Sequence, residues 1–177
     1  MPTGVFVCGA PGTGKSSAVN TILKKAKVRT AILIDPDKIG APREQVSALA
    51  IDEVYATIEE RRNFVYVGTC VGPGTIGRVI AAMKERGYRV VVAFVYTTLP
   101  TALKRNDARP EQPVAQEVAI ERHNALSSTI AKKYMGIPGI DELYLYSNET
   151  ELTLLFSRTH EKESCHVPGT EFYFKYC

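Results

Sequence analysis

Short apolar runs alternate along this chain with longer stretches in which apolar residues recur every three or four positions. Val5–Cys8 is the first run, and a helical stretch from Lys15 to about Lys27 follows it. Ala31–Ile34 predicts a second strand, ending at Asp35-Pro36-Asp37. From Arg43 to Arg62 apolar residues fall at Val46, Leu49, Val54 and Ile58, close to helical spacing. Asn63–Gly68 predicts a buried third strand. Pro73 to Arg86 predicts a helix, with proline in its first turn and Gly87 past its end.

Arg89–Tyr96, RVVVAFVY, is the most strand-like run and is expected at the centre of a sheet. Two helical stretches follow, about Pro100–Asn106 and Val114–Tyr134, joined by a link holding Arg109, Pro110 and Pro113. Glu142–Tyr146 predicts a fifth strand. Beyond it, Leu152–Ser157 and Glu171–Tyr176 are expected to form a hairpin added to the sheet. The alternation of strand and helix predicts βαβ units, a mostly parallel sheet and an α/β fold. No repeat or interdomain linker interrupts it, so residues 1–177 are read as one domain with a tail at about 151–177.

Composition narrows the function classes only modestly. Of 177 residues 45% are hydrophobic and 23% charged, which predicts a folded soluble chain rather than disorder. The net charge of +3 permits a polyanionic partner without arguing for one. The densest basic cluster, Lys24, Lys25, Lys27 and Arg29, lies at a helix end, where cations complement the dipole. Cys8, Cys70, Cys165 and Cys177 form no CxxC pair, and Met1 to Gly14 does not read as a signal peptide. No apolar run approaches the ~20 residues of a membrane helix. These features predict a cytoplasmic protein with free thiols and no membrane association. Cys165, His166, His160 and Cys177 fit no usual zinc spacing.

The candidate chemistry starts at GAPGTGKSS, comprising Gly9, Ala10, Pro11, Gly12, Thr13, Gly14, Lys15, Ser16 and Ser17. Gly9, Gly14, Lys15 and Ser16 satisfy G-x-x-x-x-G-K-[ST], the P-loop or Walker A pattern, with a strand before it and a helix after. Its glycines let backbone N–H groups turn inward around a phosphate, and the helix directs its positive end to the same place. Lys15 reaches the outer phosphates, and the Ser16 hydroxyl joins the shell of a Mg²⁺ ion. The expected ligand is ATP with Mg²⁺.

Nucleotide binding alone is not a function. A switch GTPase needs a base-reading motif such as NKxD, which is absent. A motor or AAA-type ATPase generally has paired acids after a later apolar strand, whereas the third strand here ends Val67-Gly68-Thr69. The acids lie instead in Asp35-Pro36-Asp37, at the carboxyl end of the second strand, the edge where ligands bind in an open α/β sheet. A carboxylate there can accept the proton of an attacking hydroxyl, although aspartate before proline is also an ordinary turn. Positive charge over the moving phosphoryl group can come from Arg105 and Arg109, four apart and on one face of a helix. With the prolines after them they read as a lid, or else as a solvated basic face. Arg122 and His123 are assigned to helix surface.

In this order, the motifs resemble the zeta-toxin family of P-loop kinases and the related polynucleotide kinases, from about Val5 to Asn148. GAPGTGKSS resembles the nucleotide loop, ILIDPDKI the strand with the catalytic aspartate, and VGTC the Gly-Thr turn on the substrate side. AAMKERGYRVVVAFV and ELYLYSNE resemble the helix-glycine-strand passage and the last core strand. The resemblance implies a P-loop kinase fold with a five-stranded parallel core of order 2-3-1-4-5, ATP–Mg²⁺, and transfer of phosphate to a hydroxyl. In that alignment Asp37 takes the base position; Asp35 is assigned with Ser16 to the metal, and Asp37 and Thr69 to contact with the acceptor.

Two positions depart from the pattern. Zeta toxins that phosphorylate UDP-N-acetylglucosamine carry a glutamate and an arginine where this chain has Val67 and Val71. The acceptor is therefore expected to be of nucleotide type: a nucleoside or nucleotide, a polynucleotide end or a hydroxymethylated base in DNA. The alternatives are a UDP-N-acetylglucosamine kinase and a nucleotide-binding module without transfer activity. The sequence names no protein partner.

Overall fold

The computed structural model describes residues 1–110, 113–126, 131–159 and 162–166. Its strands are β1 (Thr3–Cys8), β2 (Ile32–Ile34), β3 (Phe64–Gly68), β4 (Arg89–Tyr96), β5 (Glu142–Ser147), β6 (Thr153–Arg158) and β7 (Glu163–Cys165). Its helices are α1 (Lys15–Lys25), α2 (Arg43–Glu59), α3 (Pro73–Glu85), α4 (Leu99–Asp107), α5 (Gln116–Ala125) and α6 (Ala131–Met135). A short 3-10 turn, Pro36–Lys38, follows β2.

These strands form one sheet in the order β2-β3-β1-β4-β5-β6-β7. The first five run parallel, in the order 2-3-1-4-5. β6 and β7 then add antiparallel, so the sheet is mixed and seven-stranded rather than ending at a five-stranded core. The strand beside β6 is Glu163–Cys165; the run Glu171–Tyr176, expected in that place, lies outside the described residues. The long helix expected over Val114–Tyr134 is represented by α5 and α6, with residues 127–130 between them outside the described set.

The central strands are apolar on both faces because both faces are covered. Alternate side chains divide between two cores. Phe6, Phe64, Val92 and Phe94 pack with Val54 and Ile58 of α2 and Val79, Ile80 and Met83 of α3. Val5, Val7, Val65, Val91 and Ala93 pack on the other side with Ala18 and Ile22 of α1. Each buried valine or phenylalanine contributes roughly 1.5–3 kcal/mol. A one-residue slip would drive the phenylalanines into the smaller valine and alanine layer, so the register is held tightly. In that register Val5 lies between Val65 and Val91, and Cys8 lies beside Gly68. The carboxyl ends of β1, β2 and β3 therefore converge on one edge, carrying Gly9, Asp35 and Thr69.

The cysteines correct the expectation of free thiols. Cys8 and Cys70, 62 residues apart, form a disulfide with Cα atoms 5.4 Å apart, a normal separation for such a bond. Cys165 is also in a disulfide. The spacing gave no sign of the first bridge because its partners meet only through the pairing of β1 with β3. The thiol argument for a reducing compartment falls away with it. No helix among the described residues is long and apolar enough to cross a membrane. No cluster of three or more histidine, cysteine or acidic side chains suited to a metal occurs among them either. His166 instead shares a 2.8 Å hydrogen bond with the Ser157 hydroxyl, and His160 and Cys177 lie outside the described set.

Candidate active site

The loop after β1 is closed by its own chain. Thr13 Oγ1 donates to the Ala10 carbonyl at 2.9 Å, and Lys15 Nζ donates to the same oxygen at 3.0 Å. Gly12 and Gly14 have φ of 80° and 81°, the left-handed region that side chains rarely adopt. A Cβ on Gly12 would also lie 2.0 Å from the Ala102 carbonyl oxygen of α4. α1 begins at Lys15 with no side-chain cap and no acidic residue in its first turn. Its leading N–H groups are thus left to an anion.

A cleft of about 480 Å³ opens over this loop. Pro11, Gly12, Gly14, Lys15, Ser16 and Ser17 form its floor, while Asp35 and Asp37 come from the turn after β2. Val67, Gly68 and Thr69 come from the end of β3, and Arg105, Arg109 and Arg122 from the α4–α5 region. Most of the predicted site residues therefore share one cavity. Gly9, Ala10 and Thr13 are buried behind it and support the loop rather than line it.

The two aspartates differ in environment. Asp35 is 8% exposed, and its Oδ1 accepts the Asp37 N–H at 3.1 Å. Burial raises its carboxyl above the usual range; the Asp37 N–H bond opposes the rise and the Asp37 charge adds to it. Asp37 has a largely exposed side chain, and its Oδ2 lies 3.6 Å from Arg109 Nη1. Burial, then the Arg109 charge, lowers Lys15 to about 8 against the pull of Asp37 and Asp35. A Mg²⁺ ion suits the residues present. The Ser16 residue is exposed beside the loop, and among the described residues Asp35 hydrogen-bonds through Oδ1 alone, which gives two hard oxygen donors on the wall of the phosphate cleft.

The arginines divide differently from their spacing. α4 ends at Asp107, so Arg109 lies beyond the helix and not on one helical face with Arg105. Arg105 lines the cleft, yet Nη1 and Nη2 donate to the carbonyls of Asn148 and Glu149 at 2.7 and 2.8 Å. Arg122, assigned to helix surface, lines the cleft. His123 is also no surface residue. It is 6% exposed, with Nε2 2.8 Å from the Thr97 carbonyl.

Sequence reasoning also missed a brace at the end of β5. Asn148 Nδ2 donates to the Thr13 carbonyl at 2.9 Å, tying this strand end to the phosphate loop. Next to it, Glu149 accepts hydrogen bonds from the hydroxyls of Thr97, Thr98 and Thr101 and the Thr98 N–H. Burial alone would push the Glu149 carboxyl up, but these bonds together outweigh it and hold it at about 2. No short motif signals such a brace, since Asn148 meets a carbonyl 135 residues away and Glu149 meets hydroxyls 48 to 52 residues away; the three threonines in TTLPT are its one local trace.

This division carries a prediction. Arg109→Ala is expected to slow turnover of bound ATP more than it weakens ATP binding. Arg105→Ala is expected to lower the melting temperature by several degrees, since two carbonyls lose a charged donor. Thermal melts and single-turnover rates on both variants separate the roles; the reverse pattern would exchange them.

Comparison with known proteins supports this fold. The AvrRxo1-ORF1:-ORF2 complex, also solved with ATP, has a chain that superposes with a TM-score of 0.72 at 19% identity, covering 98% of this chain and 62% of that one. The PezAT chromosomal toxin-antitoxin system of Streptococcus pneumoniae gives 0.60 at 14%, covering 89% and 72%. The Pnkp1/Rnl/Hen1 RNA repair complex gives 0.58 at 17%, covering 74% and 46%. In sequence, the ATPase family gene 2 protein of Schizosaccharomyces pombe is 26% identical over 176 residues, covering 90% of this chain. The chain spans only 21% of that relative's length. The fold is thus P-loop-kinase-like, as the resemblance implied. The AAA_33 family profile, described as AAA domain, matches residues 5–132, despite the missing acids after β3. By that match, which takes in the phosphate loop, both aspartates and all three arginines of the cleft, the chain belongs to the AAA domain family.

Proposed function

We propose that this protein is an ATP-dependent phosphotransferase that moves the γ-phosphate to a hydroxyl of a nucleotide-type acceptor. The observation that carries the reading is the shared cleft, in which a phosphate loop, two strand-end carboxylates and three arginines face one space. A binding module without transfer activity needs the loop, but has no need of a carboxylate placed to take a proton. The α1 N-terminus and the loop N–H groups bind the β- and γ-phosphates. Lys15 leaves the Ala10 carbonyl to meet the outer phosphate oxygens. Ser16 and Asp35 would hold Mg²⁺, which supplies further positive charge to those oxygens when bound.

Asp37 takes the acceptor's hydroxyl proton as the oxygen attacks the γ-phosphorus and the bond to the ADP oxygen breaks. Arg109, beside Asp37, aims that carboxylate and adds charge over the transferring group. The AAA domain match favours a second reading, in which water is the acceptor and the protein hydrolyses ATP. Labelled γ-phosphate transfer across nucleosides, nucleotide sugars and DNA or RNA oligonucleotides tests both. Label on one acceptor class is the expected result. Phosphate released to water at the same rate with every acceptor would replace the kinase by the hydrolase.

A further inference from the structure

A second cleft, of about 470 Å³, opens beside the first and shares Ser47, Tyr66 and Thr69 with it. Thr69, the expected acceptor contact, thus lies on the boundary between the phosphate space and this neighbouring one. The rest of the wall comes from α2 on one side and the β3–α3 segment on the other, with Ile51, Val71 and Ile76 giving it an apolar surface. Of the two valines that replace the sugar-binding residues, Val67 lines the first cleft and Val71 the second.

The two spaces differ most in charge. The first has Lys15, Arg105, Arg109 and Arg122 on its wall beside Asp35 and Asp37; among the described residues the second is lined by neither lysine nor arginine. Asp52, on the α2 side, is the one charged residue among its described lining residues. The Arg78 guanidinium hydrogen-bonds Thr75 Oγ1, on the wall, at 3.3 Å, and Arg78 is not itself among the lining residues. A phosphate lodged here would lose water, find no cation on the described wall itself and face a carboxylate. A neutral ring with hydroxyls and amide-like edges would instead find apolar walls, the Tyr66 side chain, threonine hydroxyls and one strong acceptor in Asp52.

Resting on the phosphotransfer reading above, we infer that the second cleft holds the acceptor and selects an uncharged one: a nucleoside rather than a nucleoside monophosphate, a nucleotide sugar or a phosphorylated polynucleotide end. Asp52 is the specificity residue. Its charge rejects phosphate on the acceptor while leaving the γ-phosphate of ATP to the basic cleft next door.

The test compares each common ribonucleoside with its 5′-monophosphate and with UDP-N-acetylglucosamine as acceptors, in wild type, Asp52→Asn and Asp52→Lys. Wild type is expected to favour the nucleoside by about tenfold in kcat/KM, Asp52→Asn to narrow that ratio and Asp52→Lys to abolish or reverse it. Equilibrium dialysis of the same compounds with ADP present gives a readout independent of transfer. Nucleoside binding without transfer would overturn the phosphotransfer reading and leave the charge selection standing. Equal or better use of the phosphorylated acceptors, a ratio unmoved by Asp52→Lys, or no nucleoside binding at all would each overturn the inference.

Discussion

Lys15→Ala is expected to reduce phosphoryl transfer at least about a hundredfold, the consequence of losing on the order of 3 kcal/mol of charge stabilisation on the moving group. Lys15 Nζ donates to the Ala10 carbonyl at 3.0 Å, and burial holds it at about 8. Its cation is therefore costly until a phosphate arrives, and most of its interaction energy is realised with the nucleotide in place. A pH dependence follows from the same lowering. Below about 8 the lysine is charged in the free protein; as pH rises through that value kcat/KM for ATP should fall, while kcat holds because bound phosphate keeps the proton on. Steady-state rates from pH 6 to about 10 check this. A Lys15→Ala variant with near-normal turnover would remove Lys15 from the mechanism.

Asp37→Asn should leave ATP binding intact and lower transfer by roughly 10²–10⁴-fold, because the amide keeps the size but cannot take a proton. The ion pair with Arg109 complicates the reading, since the same substitution frees that guanidinium. The double variant with Arg109→Ala separates the two: if Asp37 acts as a base, its loss stays large in the Arg109→Ala background. Asp35→Asn is the control. A small loss at Asp37 with a large one at Asp35 would make the buried carboxylate the base, with its raised pKa fitting it to hold a proton at the end of the reaction.

How much of this was legible in the sequence depends on the distance between partners. The glycine-rich loop between β1 and α1 was legible as a motif because its pattern is local: Gly12, Gly14, Lys15 and Ser16 lie within one turn of each other. The core strand order came with the family resemblance, and the two-faced burial of β1, β3 and β4 was visible in their unbroken apolar runs. Arg105 and Arg109 were found as residues but not as roles, because the carbonyls that engage Arg105 lie more than 40 residues away. Arg122 could not be told from any other helical arginine until α5 was packed over the cleft. Cys8 and Cys70 were separated by a whole βαβ passage, so no spacing rule could pair them.

That bridge also determines how the molecule would bear a load. Pulled by its two ends, the chain transmits tension from the first strand through the sulfur atoms to Cys70 and onward, bypassing everything between. The bypassed 62-residue span corresponds to about 200 Å of extended backbone, which cannot be drawn out while the bridge is intact. It holds the phosphate loop, both aspartates and the threonine at the acceptor boundary. That segment is thus a slack bight tied off at its neck, and force applied at the two ends reaches it only through neighbouring contacts and never along its own peptide bonds.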